Sequence, residues 1–64
     1  MGEKLKTMRE SQKISRKKLA DMTGCSYNHI LLIERGERNP SWGLFLRLCD
    51  ALNITWEIFF YPKN

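Results

Sequence analysis

With 64 residues the chain holds at most one domain, and a domain of this size buries only about 60% of its unfolded surface. Its 42% apolar and 28% charged content is that of an ordinary soluble fold, and no apolar run approaches the roughly 20 residues that span a bilayer. The net charge of +4 is uneven: residues 1–18 hold seven basic side chains against two acidic ones, and the other 46 residues sum to −1, a distribution that points to a polyanionic partner.

In chain order, Leu5 and Met8 give one apolar stripe to a short first helix ending near Ser11. Ser15 is an N-cap for a second helix, because its hydroxyl can accept from a free amide of the first turn. Ile14 and Leu19 are placed for a hydrophobic staple. Gly24 can take the left-handed conformation that stops this helix. One residue later, Ser26 caps a third helix, from Tyr27 to about Arg35, which Gly36 closes. After the polar turn "ERNP", Ser41 caps a fourth helix with Trp42, Phe45, Leu48, Cys49 and Leu52 on its apolar side and Asn53 as its left-handed stop. Thr55 caps a short last helix, "WEIFFY", which Pro62 ends. The expected fold is all-α: five short helices in a single domain over residues 1–64, with helices 4 and 5 in residues 41–61.

Several function classes are absent from this pattern. Cys25 and Cys49 stand 24 positions apart with one histidine in the chain, so no metal site or redox pair is expected, only small buried thiols. His29 is expected to be partly buried and hydrogen-bonded. There is no paired-carboxylate site, no cysteine with a histidine base and no glycine-rich phosphate loop, so no enzyme activity, cofactor or small-molecule effector is expected. No charged leader with an apolar core opens the sequence, and the expected location is the cytoplasm, with no membrane role.

Two helices joined by a tight glycine-containing turn form a helix-turn-helix, here over about residues 15–35. The stretch "SRKKLADMTGCSYNHILLIERGERNPS" resembles the Cro/XRE family of helix-turn-helix regulators, which includes the lambdoid-phage repressors. Leu19-Ala20, Gly24, Ser26, Ile30, Ile33-Glu34, Gly36 and Asn39-Pro40-Ser41 carry the likeness, and "LFLRLCDALNITWEIFF" extends it to residue 60. The resemblance implies a lambda-repressor-like DNA-binding domain with helices 2 and 3 as the motif. It also implies an ion pair between Arg9 and Glu34, a carboxylate that borders the inner stripe and would be costly unpaired.

In this motif the second helix of the pair enters the major groove of double-stranded DNA. Ile30 and Ile33 define the inner face of the third helix; Asn28 and Arg35 point opposite, and Leu31 and Leu32 lie within roughly 50° of that outward direction. The expected base-reading set is Ser26, Tyr27, Asn28, Leu31 and Leu32. Asn28 can pair bidentately with adenine, whereas the leucines can only pack, for instance on thymine methyls. The expected phosphate contacts are Ser15, Arg16 and Lys17 at the start of the second helix, with Arg35 and Arg38 beyond the third. Arg16 stands where the family commonly has Gln.

The C-terminal segment carries more apolar side chains than so small a core can take. Leu44, Trp56, Ile58, Phe59, Phe60 and Tyr61 are therefore expected at the interface of a homodimer on a palindromic operator. The expected function is sequence-specific transcriptional regulation, as a repressor. The alternative is a protein-binding adaptor, antirepressor- or antitoxin-like, that uses the Leu31/Leu32 face of the same fold.

Overall fold

The computed structural model describes residues 1–60. Four α-helices appear in order: α1 (Gly2–Ser11), α2 (Arg16–Thr23), α3 (Tyr27–Glu34) and α4 (Trp42–Ala51). A 3-10 turn, Trp56–Phe59, follows where a fifth helix was predicted. Its bonds run i to i+3, from Ile58 N–H to the Thr55 carbonyl (3.2 Å) and from Phe60 N–H to the Glu57 carbonyl (3.0 Å). Thr55 supplies no side-chain cap there, and a four-residue run rich in aromatic and branched side chains is too short to nucleate an α-helix unaided. The predicted last position, Tyr61, and its stop, Pro62, lie outside the described residues.

Cap chemistry sets the other boundaries. The hydroxyls of Ser15, Ser26 and Ser41 accept from the amides of Lys18 (3.0 Å), His29 (3.1 Å) and Leu44 (3.2 Å). Each such cap is worth about 1 kcal/mol. Gly24 stops α2 at φ +72°, and the next amide, Cys25, returns to the Ala20 carbonyl at 3.1 Å, so α3 starts almost at once. Asn53 is left-handed as predicted, at φ 56°. Lys13, at φ 59°, is a left-handed residue that the sequence did not announce.

Leu5, Leu19, Ala20, Ile30, Ile33, Leu44, Leu48 and Leu52 form the core, with Ile14, Met8, Cys25, Ile54 and Phe59 packed against it. Two positions of α4 exchange their predicted roles. Leu44 is only 3% exposed and belongs to the core, whereas Trp42 is 58% exposed. Leu44, Leu48 and Leu52 recur every four residues along one stripe, and Trp42 lies about 200° around the helix from Leu44. A side chain sealed in its own core cannot meet a second copy, so Leu44 leaves the set of dimer candidates.

The first helix ties both ends of the fold together. Lys4 Nζ donates to the Ile58 carbonyl at 2.9 Å, and the Gln12 amide donates to the Leu52 carbonyl. At its start, a Cβ on Gly2 would stand 2.5 Å from the Ile33 carbonyl oxygen and 2.6 Å from that of Glu34. Glycine there lets α1 press directly on the last turn of α3. Among the described residues no helix is long and apolar enough to cross a membrane, and no three His, Cys, Asp or Glu side chains are grouped to hold a metal ion.

Candidate nucleic-acid interface

The helix-turn-helix is held by an ion cluster at the meeting point of three helices. Glu34, the last residue of α3, has a side chain only 1% exposed. Its Oε2 accepts from Arg9 Nε at 2.6 Å, and its Oε1 accepts from Arg9 Nη2 at 3.2 Å. The predicted Arg9–Glu34 pair is therefore present and bidentate. Arg9 also donates through Nη1 to the Ile14 carbonyl at 2.7 Å, which fixes the chain entering α2. A second guanidinium was not foreseen: Arg16 Nε, on the first residue of α2, donates to the same Oε1 at 2.9 Å. Glu34, through its hydrogen bond, raises the pKa of Arg16 above its ordinary value, and the Tyr27 phenol acts in the same direction. No buried side-chain nitrogen or oxygen is left without a partner among the described residues.

Two further polar contacts finish α2 and tie α4 to its end. The buried Thr23 hydroxyl donates back to the Leu19 carbonyl at 2.8 Å, and Arg47 of α4 donates through Nε to the Thr23 carbonyl at 3.0 Å. Arg47 thus satisfies a carbonyl at the C-terminus of α2, where a cation is favoured. The Arg47 contact has no local sequence signature, because it depends on which helix packs against the end of α2.

Around this frame lie the predicted contact residues. Ser26, Tyr27 and Asn28 are exposed at the start of α3, while Leu31 and Leu32 are half-buried. The two leucines are less open than an outward-facing position implies. His29 is half-buried beside them. Ser15 and Lys17 are exposed at the start of α2, and the Ser15 hydroxyl hydrogen remains free to donate while its oxygen caps the helix. Arg35 and Arg38 are exposed on the turn after α3. Lys17 pairs with Asp21 at 3.6 Å and Arg35 with Glu37 at 2.7 Å, all at the surface. Exposed pairs of this kind are worth about 0–1 kcal/mol, so either cation can turn to another anion at small cost. Arg16 is the exception, with its side chain 27% exposed and its Nε committed to the core carboxylate.

The predicted dimer residues gather elsewhere. Trp56 and Phe60 are exposed, and Ile58 and Phe59 are half-buried. Trp42, Phe45, Trp56, Phe59 and Phe60 form an aromatic cluster whose ring centroids lie 5.3–6.3 Å apart, from Phe45–Phe59 to Trp42–Trp56. Met1, Asn39 and Pro40 join four of these rings to line an open groove of about 320 Å³.

A helix-turn-helix family model matches residues 5–59. The uncharacterized HTH-type transcriptional regulator y4dL of Sinorhizobium fredii is 36% identical over 62 residues, which is 97% of this chain. The chain spans only 31% of that relative's length. Among solved structures, the restriction-modification controller protein C.AhdI from Aeromonas hydrophila superposes with a TM-score of 0.84 at 32% identity, over 88% of this chain and 85% of that one. The P22 c2 repressor protein, crystallised with a synthetic operator, gives the same TM-score, identity and coverage.

Proposed function

The chain belongs to the helix-turn-helix family, of the Cro/XRE type, and on that premise we propose that it is a sequence-specific, double-stranded DNA-binding transcriptional regulator. The observation that carries this reading is the arrangement around α3. Its N-terminal residues Ser26, Tyr27 and Asn28 are exposed, as are Ser15 and Lys17 at the start of the preceding helix and Arg35 and Arg38 on the turn that follows. The flanking groups hold phosphates and set the register; α3 reads the major groove. Asn28 pairs with a base edge, and Leu31 and Leu32 offer their remaining open surface to thymine methyls. The operator complex of the P22 c2 repressor supports the same role here.

The regulator acts as a repressor in the cytoplasm, as a homodimer on a palindromic operator. The exposed rings of Trp56 and Phe60, with Ile58, Phe59 and Tyr61, meet those of a second copy. Selection of bound sites from random duplexes is expected to return a palindrome with half-sites about 34 Å apart. Affinity is expected to fall steeply with salt. Absence of binding to any duplex at low salt would falsify the reading. Sedimentation equilibrium at micromolar concentration checks the dimer; a strict monomer with and without DNA removes it.

The adaptor reading draws on the same two leucines, whose open surface is apolar. Leu31→Ala combined with Leu32→Ala separates the two. DNA reading predicts altered operator preference with non-specific affinity retained, whereas an adaptor loses a protein partner and shows no DNA effect.

A further inference from the structure

Glu34 receives two guanidiniums, and one suffices. Arg9 alone supplies two parallel bonds to the carboxylate, at 2.6 and 3.2 Å, and is itself as buried as its partner. The bond from Arg16 at 2.9 Å is therefore surplus to neutralising the charge. What that bond does is spatial. It joins the first residue of α2 to the last residue of α3, over 18 positions of sequence, across the turn that defines the motif.

The Tyr27 phenol, at the other end of α3, is the next group after Glu34 that favours the charged form of this guanidinium. A guanidinium fixes the direction of the Glu34 bond because its five N–H donors lie in one plane; an ammonium is a point charge on a flexible stem and does not.

We infer that Arg16 is a positioning residue for sequence readout: held by Glu34, it orients α3 against α2, rather than serving as a phosphate clamp. The inference rests on the DNA-binding reading above and deepens it. A phosphate clamp contributes to all duplexes alike and to the salt dependence of binding. A positioning residue contributes to the operator over random DNA and leaves the salt dependence alone.

The test measures affinity for the selected operator and for a random duplex, each across a salt series, for the full chain and for Arg16→Gln, Arg16→Lys and Arg38→Ala. Circular dichroism melts confirm that each variant is folded at the assay temperature. Arg16→Gln is expected to lower the operator-to-random ratio by about tenfold, the scale of one lost bidentate base contact. Its slope of log affinity against log salt is expected to match the parent chain. Arg16→Lys is expected to behave like Arg16→Gln, because charge without the planar fork does not rebuild the bridge. Arg38→Ala, a clamp, is expected to flatten the slope by about 0.9 and leave the ratio unchanged.

A slope flattened by about 0.9 in Arg16→Gln, with rescue by Arg16→Lys, overturns the inference and makes Arg16 a clamp. An unchanged ratio in Arg16→Gln also overturns it. Either result leaves the DNA-binding reading intact, since the parent chain still selects its operator. A parent chain that binds no duplex removes both.

Discussion

Glu34→Gln isolates what the buried carboxylate contributes to the fold. The substitution keeps the shape and one carbonyl acceptor but removes the negative charge between Arg9 and Arg16. The Arg9 side chain is only 7% exposed, so its guanidinium has little access to water in compensation. Breaking a buried pair outright costs about 3–5 kcal/mol. The retained acceptor and the partial exposure of Arg16 reduce that to about 2 kcal/mol. For 64 residues the unfolding entropy is about 130 cal/mol/K, so 2 kcal/mol corresponds to a fall in melting temperature of about 15 °C. The total stability expected at this length is about 3–10 kcal/mol, so the variant remains foldable. Thermal melts followed at the helix band, with urea titrations alongside, measure the effect. Because the pair is buried, the loss is expected to persist between low and moderate salt. A fall of less than about 4 °C would show that the carboxylate does not hold the three helices together. A companion pair adds a direction: Arg9→Met, which also frees the Ile14 carbonyl, is expected to destabilise more than Arg16→Met. The reverse order would contradict the assignment of Arg9 as the neutralising partner.

Three other outcomes follow from the geometry. Gly2→Ala forces a methyl against two backbone carbonyls and is expected to lower stability by about 1–3 kcal/mol; an unchanged urea midpoint would mean α1 does not press on α3 as described. Lys13→Gly relieves a left-handed non-glycine residue and is expected to stabilise by about 1 kcal/mol, read as a raised urea midpoint; a lowered midpoint refutes the strain. Burial pushes the Cys49 thiol up, which leaves less thiolate at a given pH, so Cys49 is expected to alkylate more slowly than half-buried Cys25 near pH 8. Mass mapping after brief iodoacetamide treatment measures this, and faster labelling of Cys49 contradicts it.

Legibility in the sequence followed the range of each interaction. The caps at Ser15, Ser26 and Ser41 and the left-handed stops at Gly24 and Asn53 were readable because each acts within four residues. Ile30 and Ile33 were readable as core from spacing alone. The Arg9–Glu34 pair spans 25 residues and came from family resemblance, not from pattern. The orientation of α4 was misread at two positions because apolar residues occupy 42, 44, 45, 46, 48, 49, 51 and 52, which defines no unique stripe. The roles of Arg16, Arg47 and Gly2 had no signature at all, since each depends on the mutual placement of helices far apart in sequence.

The bonds from α1 to the far end of the chain bear on how the domain is born. Arg9 can lock to Glu34 once residue 34 has left the ribosome, which assembles α1, α2 and α3. Gln12 and Lys4 find their carbonyls only after Leu52 and Ile58 have emerged. Between those two points the nascent chain carries a helix-turn-helix whose core is completed only as Leu44, Leu48 and Leu52 emerge in turn. Synthesis therefore delays the finished domain to its last dozen described residues, and a chain stalled before them presents open apolar surface to chaperones and proteases rather than a competent groove reader.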